Sequence, residues 1–340
     1  MKNPLSKVYI IAEIGVNHNG DMDLAKKMID QAIIAGASAV KFQTYSTERL
    51  VSNGTPKVAY QQNTTKKNES HFEMLKKLEL SKENHYLLHS YAQEKNIDFI
   101  STPYDSESAK FLDKLGVNTF KTASADIVDI PLHEFLSKTK KNVIISTGMA
   151  TEKEVTDIMH IYNDNINKPY LLHCISNYPC ADENINLNLI NLLKSINGDR
   201  VGFSDHSIGN YASMGAIVMG AKIIEKHFTL DKNLDGPDHK ASSTPDEFKS
   251  LVKDIRKMEK LMGSQSKIVY DEEKQMREVS RKSIFLKNDV KIDTMIKLED
   301  LTLKRPGTGL YSENLIKIVG KKAKINLFKG EMLNLDQVYT

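Results

Sequence analysis

Side chains able to do chemistry gather at the ends of short apolar runs in this sequence. Glu13 closes the run that begins at Val8, and Lys41 and Gln43 sit near the end of the next. Thr102 ends the third run, Lys121 with Ser124 beyond it the fourth, and His173 the sixth. Ser204 and His206 end the seventh, and Glu225 and His227 the eighth. A single Lys or His in an apolar run is ordinarily a satisfied core or surface residue. So many at corresponding ends point to one site. Lys41 and Lys121, with the hydroxyls of Thr102, Ser124 and Ser204, suit a phosphate. His206 and His227 offer two imidazoles. With a carboxylate or waters these suit Mn, Fe, Co or Zn; the alternative is a pair of hydrogen-bonding core histidines. Glu13 is a carboxylate in basic, partly dry surroundings, suited to acid or base work. The constellation describes a phosphorylated small anion, a metal and a proton-transfer group.

These residues need elements that aim them together. The apolar runs Val8–Ile14, Ala39–Thr44, Asp98–Thr102, Thr119–Ala123, Asn142–Ser146, Tyr170–Cys174, Val201–Asp205 and Lys222–Phe228 read as strands. Most are apolar on both faces, as parallel strands covered by helices require. Amphipathic stretches separate them: Asp21–Ile34, Ser81–Glu94, Asp105–Leu115, Glu152–Ile161, Leu187–Ile196, Tyr211–Met219 and Pro245–Met262. Thr151 and Thr244, each followed three residues on by Glu, mark two helix starts. About eight β-then-α units over roughly 260 residues predict a (β/α)8 TIM barrel, an α/β fold whose sites lie at the C-terminal strand ends. A doubly wound sheet is the runner-up, but Gly15 to Gly20 is not its glycine fingerprint. Strand period puts Lys41 with Gln43, Ser204 with His206, and Glu225 with His227 on shared faces. Asp205 and Lys226 then point the other way, as ion-pairing partners behind the site.

Three segments follow: a barrel over 1–263, a polar linker over 264–282, and a small mostly-β domain over 283–340. The last carries β-runs at Ile284–Leu286, Leu301–Leu303 and Ile316–Val319. A net charge of +3 in 340 residues, with basic and acidic residues interspersed, describes a solvated surface. It argues against a nucleic-acid stripe or a membrane patch. No apolar run approaches a membrane span. Two cysteines, Cys174 and Cys180, fit a reduced, cytoplasmic setting.

Nine segments together resemble the sialic acid synthase family. They are Ala12–Gly20, Val40–Thr44, Ile100–Pro103, Ser146–Met149, Leu172–Cys174 with Tyr178-Pro179, Phe203–His206, Ile224–Thr229, Gly236–Ala241 and Lys304–Gly309. The tail is similar to that family's antifreeze-like (SAF) domain. The resemblance implies that phosphoenolpyruvate is condensed with an open-chain N-acetylated amino sugar. The sugar would be N-acetylmannosamine or a 2,4-diacetamido-trideoxy hexose. It implies His206 and His227 as ligands of Mn2+ or Mg2+, and Lys41, Thr102, Lys121, Ser124, Ser176 and Ser204 as phosphoenolpyruvate binders. Glu13, Gln43, Tyr178 and Asp238 would face the sugar. Arg305 would act across a homodimer with a domain-swapped C-terminal domain. Relatives often carry glutamate where this chain has Asp126, and Asn63 and Asn68 are both candidates for a sugar-binding asparagine. Two other readings stand beside the synthase: an aldolase forming a Schiff base at Lys121 or Lys41, and a non-catalytic sugar-binding protein.

Overall fold

The computed structural model describes residues 7–52, 54–65, 68–165 and 168–339, leaving out the side chains of Ala59, Tyr60 and Asn63. The chain divides into two units, Met1–Gly263 and Ser264–Thr340.

In the first unit eight parallel strands close into a barrel in sequence order. They are β1 (Tyr9–Gly15), β2 (Ala39–Thr44), β3 (Asp98–Pro103), β4 (Thr119–Thr122), β5 (Asn142–Ser146), β6 (Tyr170–His173), β7 (Val201–Asp205) and β8 (Ile223–His227). The TIM-barrel expectation holds. Apolar side chains divide by strand parity. Tyr9, Ile11, Ala39, Ile100, Ile144, Tyr170, Leu172 and Ile223 form the filled interior. Ile10, Ala12, Val40, Phe42, Phe120, Leu171 and Ile224 face out, into the larger core shared with the helices. Gly202 lies where a Cβ would come within 2.5 Å of Leu172 Cδ2, so only glycine lets that layer close.

Helices start where caps allow. Thr151 and Thr244 make reciprocal bonds with Glu154 and Glu247, and Pro245 sits in the first turn. The sequence reading missed the helix Ile130–Lys138, which Asp129 caps and which completes the unit after β4. It also missed three short helices between β2 and β3: Thr47–Leu50, Ala59–Thr64 and His71–Leu78.

The second unit opens with a helix, Asp271–Ser280, inside the segment expected to be a polar linker. None of its residues is buried, so its polar composition hid it. Strands β9 (Ser283–Leu286) and β10 (Leu301–Lys304) pair antiparallel. They enclose a small core of Ile284, Leu286, Val290, Ile296, Leu301 and Ile318. The expected β-run at Ile316–Val319 is instead a helical turn, Leu315–Ile318, whose Ile318 plugs that core.

Candidate active site

Interior parity decides which polar groups meet. Two residues beyond Ile11, Ala39, Ile100, Ile144 and Ile223 come Glu13, Lys41, Thr102, Ser146 and Glu225, so these point up the barrel axis. With Lys121 and Ser204 they form the floor of a cavity of about 380 Å³ at the C-terminal strand ends. Gln43, Ser124, Ser176, Tyr178, His206, His227 and Asp238 also line it. Of the run-end residues expected to converge, all but His173 are therefore brought together. His173 falls on the opposite parity. It packs on Phe203 and its Nε2 donates to the Ile185 carbonyl at 2.6 Å, which makes it a satisfied core histidine.

Charges on the floor alternate. Lys41 Nζ lies 2.8 Å from Glu13 Oε2 and 3.7 Å from Glu225 Oε1, and donates to Thr102 Oγ1 at 3.3 Å. Lys121 Nζ lies 3.8 Å from the same Glu225 oxygen and donates to Ser146 Oγ at 2.5 Å and the Thr122 carbonyl at 2.9 Å. Burial opposes the charge on Lys41, but Glu13 and Glu225 together outweigh it and hold the ammonium above its ordinary range. Burial pushes Lys121 down. Burial also pushes the Glu13 carboxyl up to about 7, with Lys41 pulling the other way. Glu225 is held low by the two lysines and by Ser204, whose Oγ donates to it at 3.0 Å, and these outweigh its burial. Its Oε2 is buried and has no hydrogen-bond partner among the described residues. The sequence placed Glu225 on the His227 face but assigned it no role.

Beside this floor, Gly148 donates its N–H to Ser124 Oγ at 3.1 Å. A Cβ there would meet Ser176 Oγ, Ser124 Oγ and Cys174 Sγ at 2.5–2.9 Å. The absent side chain keeps open a cradle of hydroxyls and backbone N–H, a fitting place for an anion.

His206 and His227 face each other with ring centroids 5.5 Å apart, and Tyr178 lies 4.2 Å from the first ring and 5.2 Å from the second. His206 Nδ1 lies 2.6 Å from the Ile175 carbonyl, so it carries the proton and leaves Nε2 an acceptor, 3.3 Å from Ser204 Oγ. His227 Nδ1 is buried without a hydrogen-bond partner among the described residues, 3.7 Å from Asp238 Oδ2. Burial drives His206 down to about 4 and His227 well below its usual range, so both rings are neutral. Burial lifts Asp238 to about 6. On the reverse side of β7 and β8, Lys226 Nζ lies 2.9 Å from Asp205 Oδ2, both buried, as strand period required.

Arg305 belongs to the second unit, where it is exposed and donates Nε–H to the Ser280 carbonyl at 3.1 Å. Asp126 does not line the cavity, and Asn68 is exposed away from it. The Asn63 side chain lies outside the described residues.

Residues 28–267 match the NeuB family and residues 281–338 the SAF domain. The chain belongs to the NeuB family. N,N'-diacetyllegionaminic acid synthase of Legionella pneumophila is 43% identical over 96% of this chain and 93% of its own length. The enzyme of that name from Campylobacter jejuni is 40% identical over 97% and 99%. A solved N-acetylneuraminic acid (sialic acid) synthetase from Leptospira borgpetersenii, in complex with citrate, superposes with a TM-score of 0.72. It is 35% identical, and the match covers 80% of this chain and 90% of that one. The family resemblance carried by the sequence motifs is thereby borne out. Among the described residues, no helix is long and apolar enough to cross a membrane.

Proposed function

We infer that this NeuB-family chain is a nonulosonic acid synthase. It condenses phosphoenolpyruvate with an open-chain N-acetylated amino sugar, giving a 2-keto-3-deoxy acid and phosphate. One observation carries the reading. Two buried lysines, a hydroxyl cradle, two neutral imidazoles and a carboxyl that titrates near neutrality share one cavity.

Lys41, Lys121, Thr102, Ser124, Ser176 and Ser204 bind the carboxylate and phosphate of phosphoenolpyruvate. Carbon 3 of phosphoenolpyruvate attacks the aldehyde carbon, and a C–C bond forms. Glu13, protonated, gives its proton to the new alkoxide while Gln43 holds the carboxyl through a 3.3 Å bond. Water adds at carbon 2 and phosphate departs with its bridging oxygen. Lys121 and Lys41 steady the charge on that group, and the proton released by water restores Glu13. The donor set fits a divalent metal, Mn2+ or Mg2+, held by His206 and His227. Both rings are neutral; His227 Nδ1 has no partner among the described residues, and His206 Nε2 is an unprotonated nitrogen touched only by the Ser204 hydroxyl at 3.3 Å. No group of three or more His, Cys, Asp or Glu residues converges on a metal position among the described residues, so further ligands would be waters and substrate oxygen. When bound, such an ion polarises the aldehyde.

We further propose a homodimer in which the exposed Arg305 of one chain serves the other chain's cavity, in a reduced cytoplasmic setting suited to the free thiols Cys174 and Cys180. Mixing inactive Glu13→Ala and Arg305→Ala chains restores activity if sites are shared; no recovery overturns the swap. The synthase reading is tested by phosphate release with mass spectrometry of the product. Borohydride trapping of a pyruvate adduct on Lys121 or Lys41 would replace it with the aldolase.

A further inference from the structure

The turn after β1 holds two asparagines that none of the chemistry above uses, Asn17 and Asn19. Asn17 is fully buried, yet it does not line the cavity. A buried amide is costly unless its polar groups are paired. Its Nδ2 donates to the Phe228 carbonyl at 3.0 Å and to Ser242 Oγ at 2.8 Å. A carbonyl can only accept, so the Phe228 oxygen fixes which end of the amide faces it. Ser242 Oγ in turn donates to the Asp238 carbonyl at 2.7 Å. One side chain is thus joined to two backbone carbonyls, one next to His227 and one at Asp238.

Between those carbonyls runs a loop. It leaves β8 after His227 and returns beside its own start, where Thr229 N donates to the Ser243 carbonyl at 3.0 Å and Ser243 N to the His227 carbonyl at 2.8 Å. The Phe228 peptide is pinned on both sides: its N–H donates to the Glu13 carbonyl at 2.8 Å, and its carbonyl accepts from Asn17. Farther out, Asn19 Nδ2 donates to the Asp235 carbonyl at 2.8 Å. A Cβ on Gly236 would come within 3.0 Å of Asn19 Oδ1, so the loop sits close on this turn. Asp238 Oδ2 lies 3.7 Å from His227 Nδ1, which has no hydrogen-bond partner among the described residues. With no bond between the two side chains, their spacing is set by the backbone that carries them.

We propose that Asn17 is a positioning residue for the reaction: through Phe228 it fixes His227, and through Ser242 it fixes Asp238, so that the metal-binding ring and the sugar-facing carboxyl keep one spacing. This rests on the synthase reading and deepens it.

The two branches can be cut separately. Ser242→Ala removes the branch to Asp238 and leaves the bond to Phe228; Asn17→Ala removes both. Mn2+ affinity is measured by calorimetry without substrate. Phosphate release with N-acetylmannosamine and with a 2,4-diacetamido-2,4,6-trideoxy hexose gives kcat and KM. Ser242→Ala is expected to raise the KM of the better sugar and to hold Mn2+ affinity. Asn17→Ala is expected to raise KM and also to weaken Mn2+ binding about 10- to 100-fold, the usual cost of a lost partner behind a metal ligand. Phosphoenolpyruvate affinity, set by the floor, is expected to hold in both. In an Asp238→Ala background, Ser242→Ala should raise KM no further, because its effect runs through that carboxyl. An asparagine that serves folding alone behaves otherwise. It gives a lower denaturation midpoint with KM and Mn2+ affinity unchanged in the folded protein, or a Ser242→Ala effect that adds in full to Asp238→Ala. Either result overturns the assignment, as does a fall in phosphoenolpyruvate affinity in step with the rest. If Asn17→Ala does not fold, Ser242→Ala and its pairing with Asp238→Ala decide alone. No phosphate release by the wild type with either sugar overturns the synthase reading itself; the Mn2+ titrations need no turnover and still judge Asn17.

Discussion

The floor of the cavity and the wall that the helix His71–Leu78 lends it are assembled by different means. The floor is made of strand residues, most of them two positions beyond a side chain of the barrel interior, so its geometry is enforced by a closed hydrogen-bonded sheet. The wall sits on a segment between β2 and β3 that folds into short helices and is held by a few side-chain bonds. Ladder register allows little variation from strand to strand, which suits chemistry every substrate must undergo. A helical insertion can change its face without disturbing the barrel, which suits recognition of one sugar among several. Losses at the floor should therefore appear in turnover, and changes at the wall in the choice of substrate.

The sharpest way to break this division is at Glu13. Its carboxyl, ordinarily near 4.5, is raised by burial to about 7. As a proton donor it works in its protonated form, so kcat should fall as pH rises through about 7. Glu13→Gln should lower kcat by roughly 10²–10⁴ and abolish that limb. A kcat that instead climbs through pH 7 would make the ionised form the working one. The reverse face of the same strands offers a contrast. Lys226→Met leaves Asp205 buried without its cation, still accepting from Ser207 and Ser213. Removing one partner of a buried pair costs about 3–5 kcal/mol, read as a lower denaturation midpoint. Asp205→Asn/Lys226→Met should recover part of it. Lys121→Met also removes a buried partner of Glu225, 3.8 Å away, but Lys41 at 3.7 Å still faces that carboxylate, so the loss of stability should be smaller than for Lys226→Met. Lys121→Met should cost about 2–4 kcal/mol of transition-state stabilisation, seen in kcat/KM for phosphoenolpyruvate.

What was legible in the sequence follows the same boundary. Period two is rigid, so Lys41 with Gln43, Ser204 with His206 and the outward pair Asp205–Lys226 could be placed from spacing alone. His173 was misread because the end of a strand was taken for the rim, when Leu172, not His173, holds the interior parity. Glu225 had the right parity and lay within the Ile224–Thr229 segment but was given no role, because its partners are lysines on β2 and β4, distant in sequence. The wall left a signal too, in His71, Met74, Leu75 and Leu78. But an apolar stripe says only that a helix covers something, and only the fold shows that a cavity lies beneath it.

The smallest expected effect concerns Asp126, in the turn Ser124–Val128 that follows β4. Its Oδ2 is buried with no hydrogen-bond partner among the described residues, and the carboxyl does not line the cavity. Burial, and after it the nearby Asp129, lifts it from about 3.8 to about 7. Between those values the folded chain holds a proton that the unfolded chain has released. Stability from this group is therefore lost as pH rises across that window and stays lost above it. Asp126→Asn removes the titration and keeps the shape. It should raise the denaturation free energy at pH 8 by on the order of 2 kcal/mol, discounted from the full shift because the group is partly exposed. At pH 4 wild type and variant should coincide. If Asp126 stands outside the chemistry, kcat changes less than about threefold, a free-energy difference below about 0.7 kcal/mol. A fall in kcat of two orders of magnitude with the stability gain intact would move Asp126 onto the catalytic floor. The turn after β4 would then carry catalytic work beside the anion contact of Ser124.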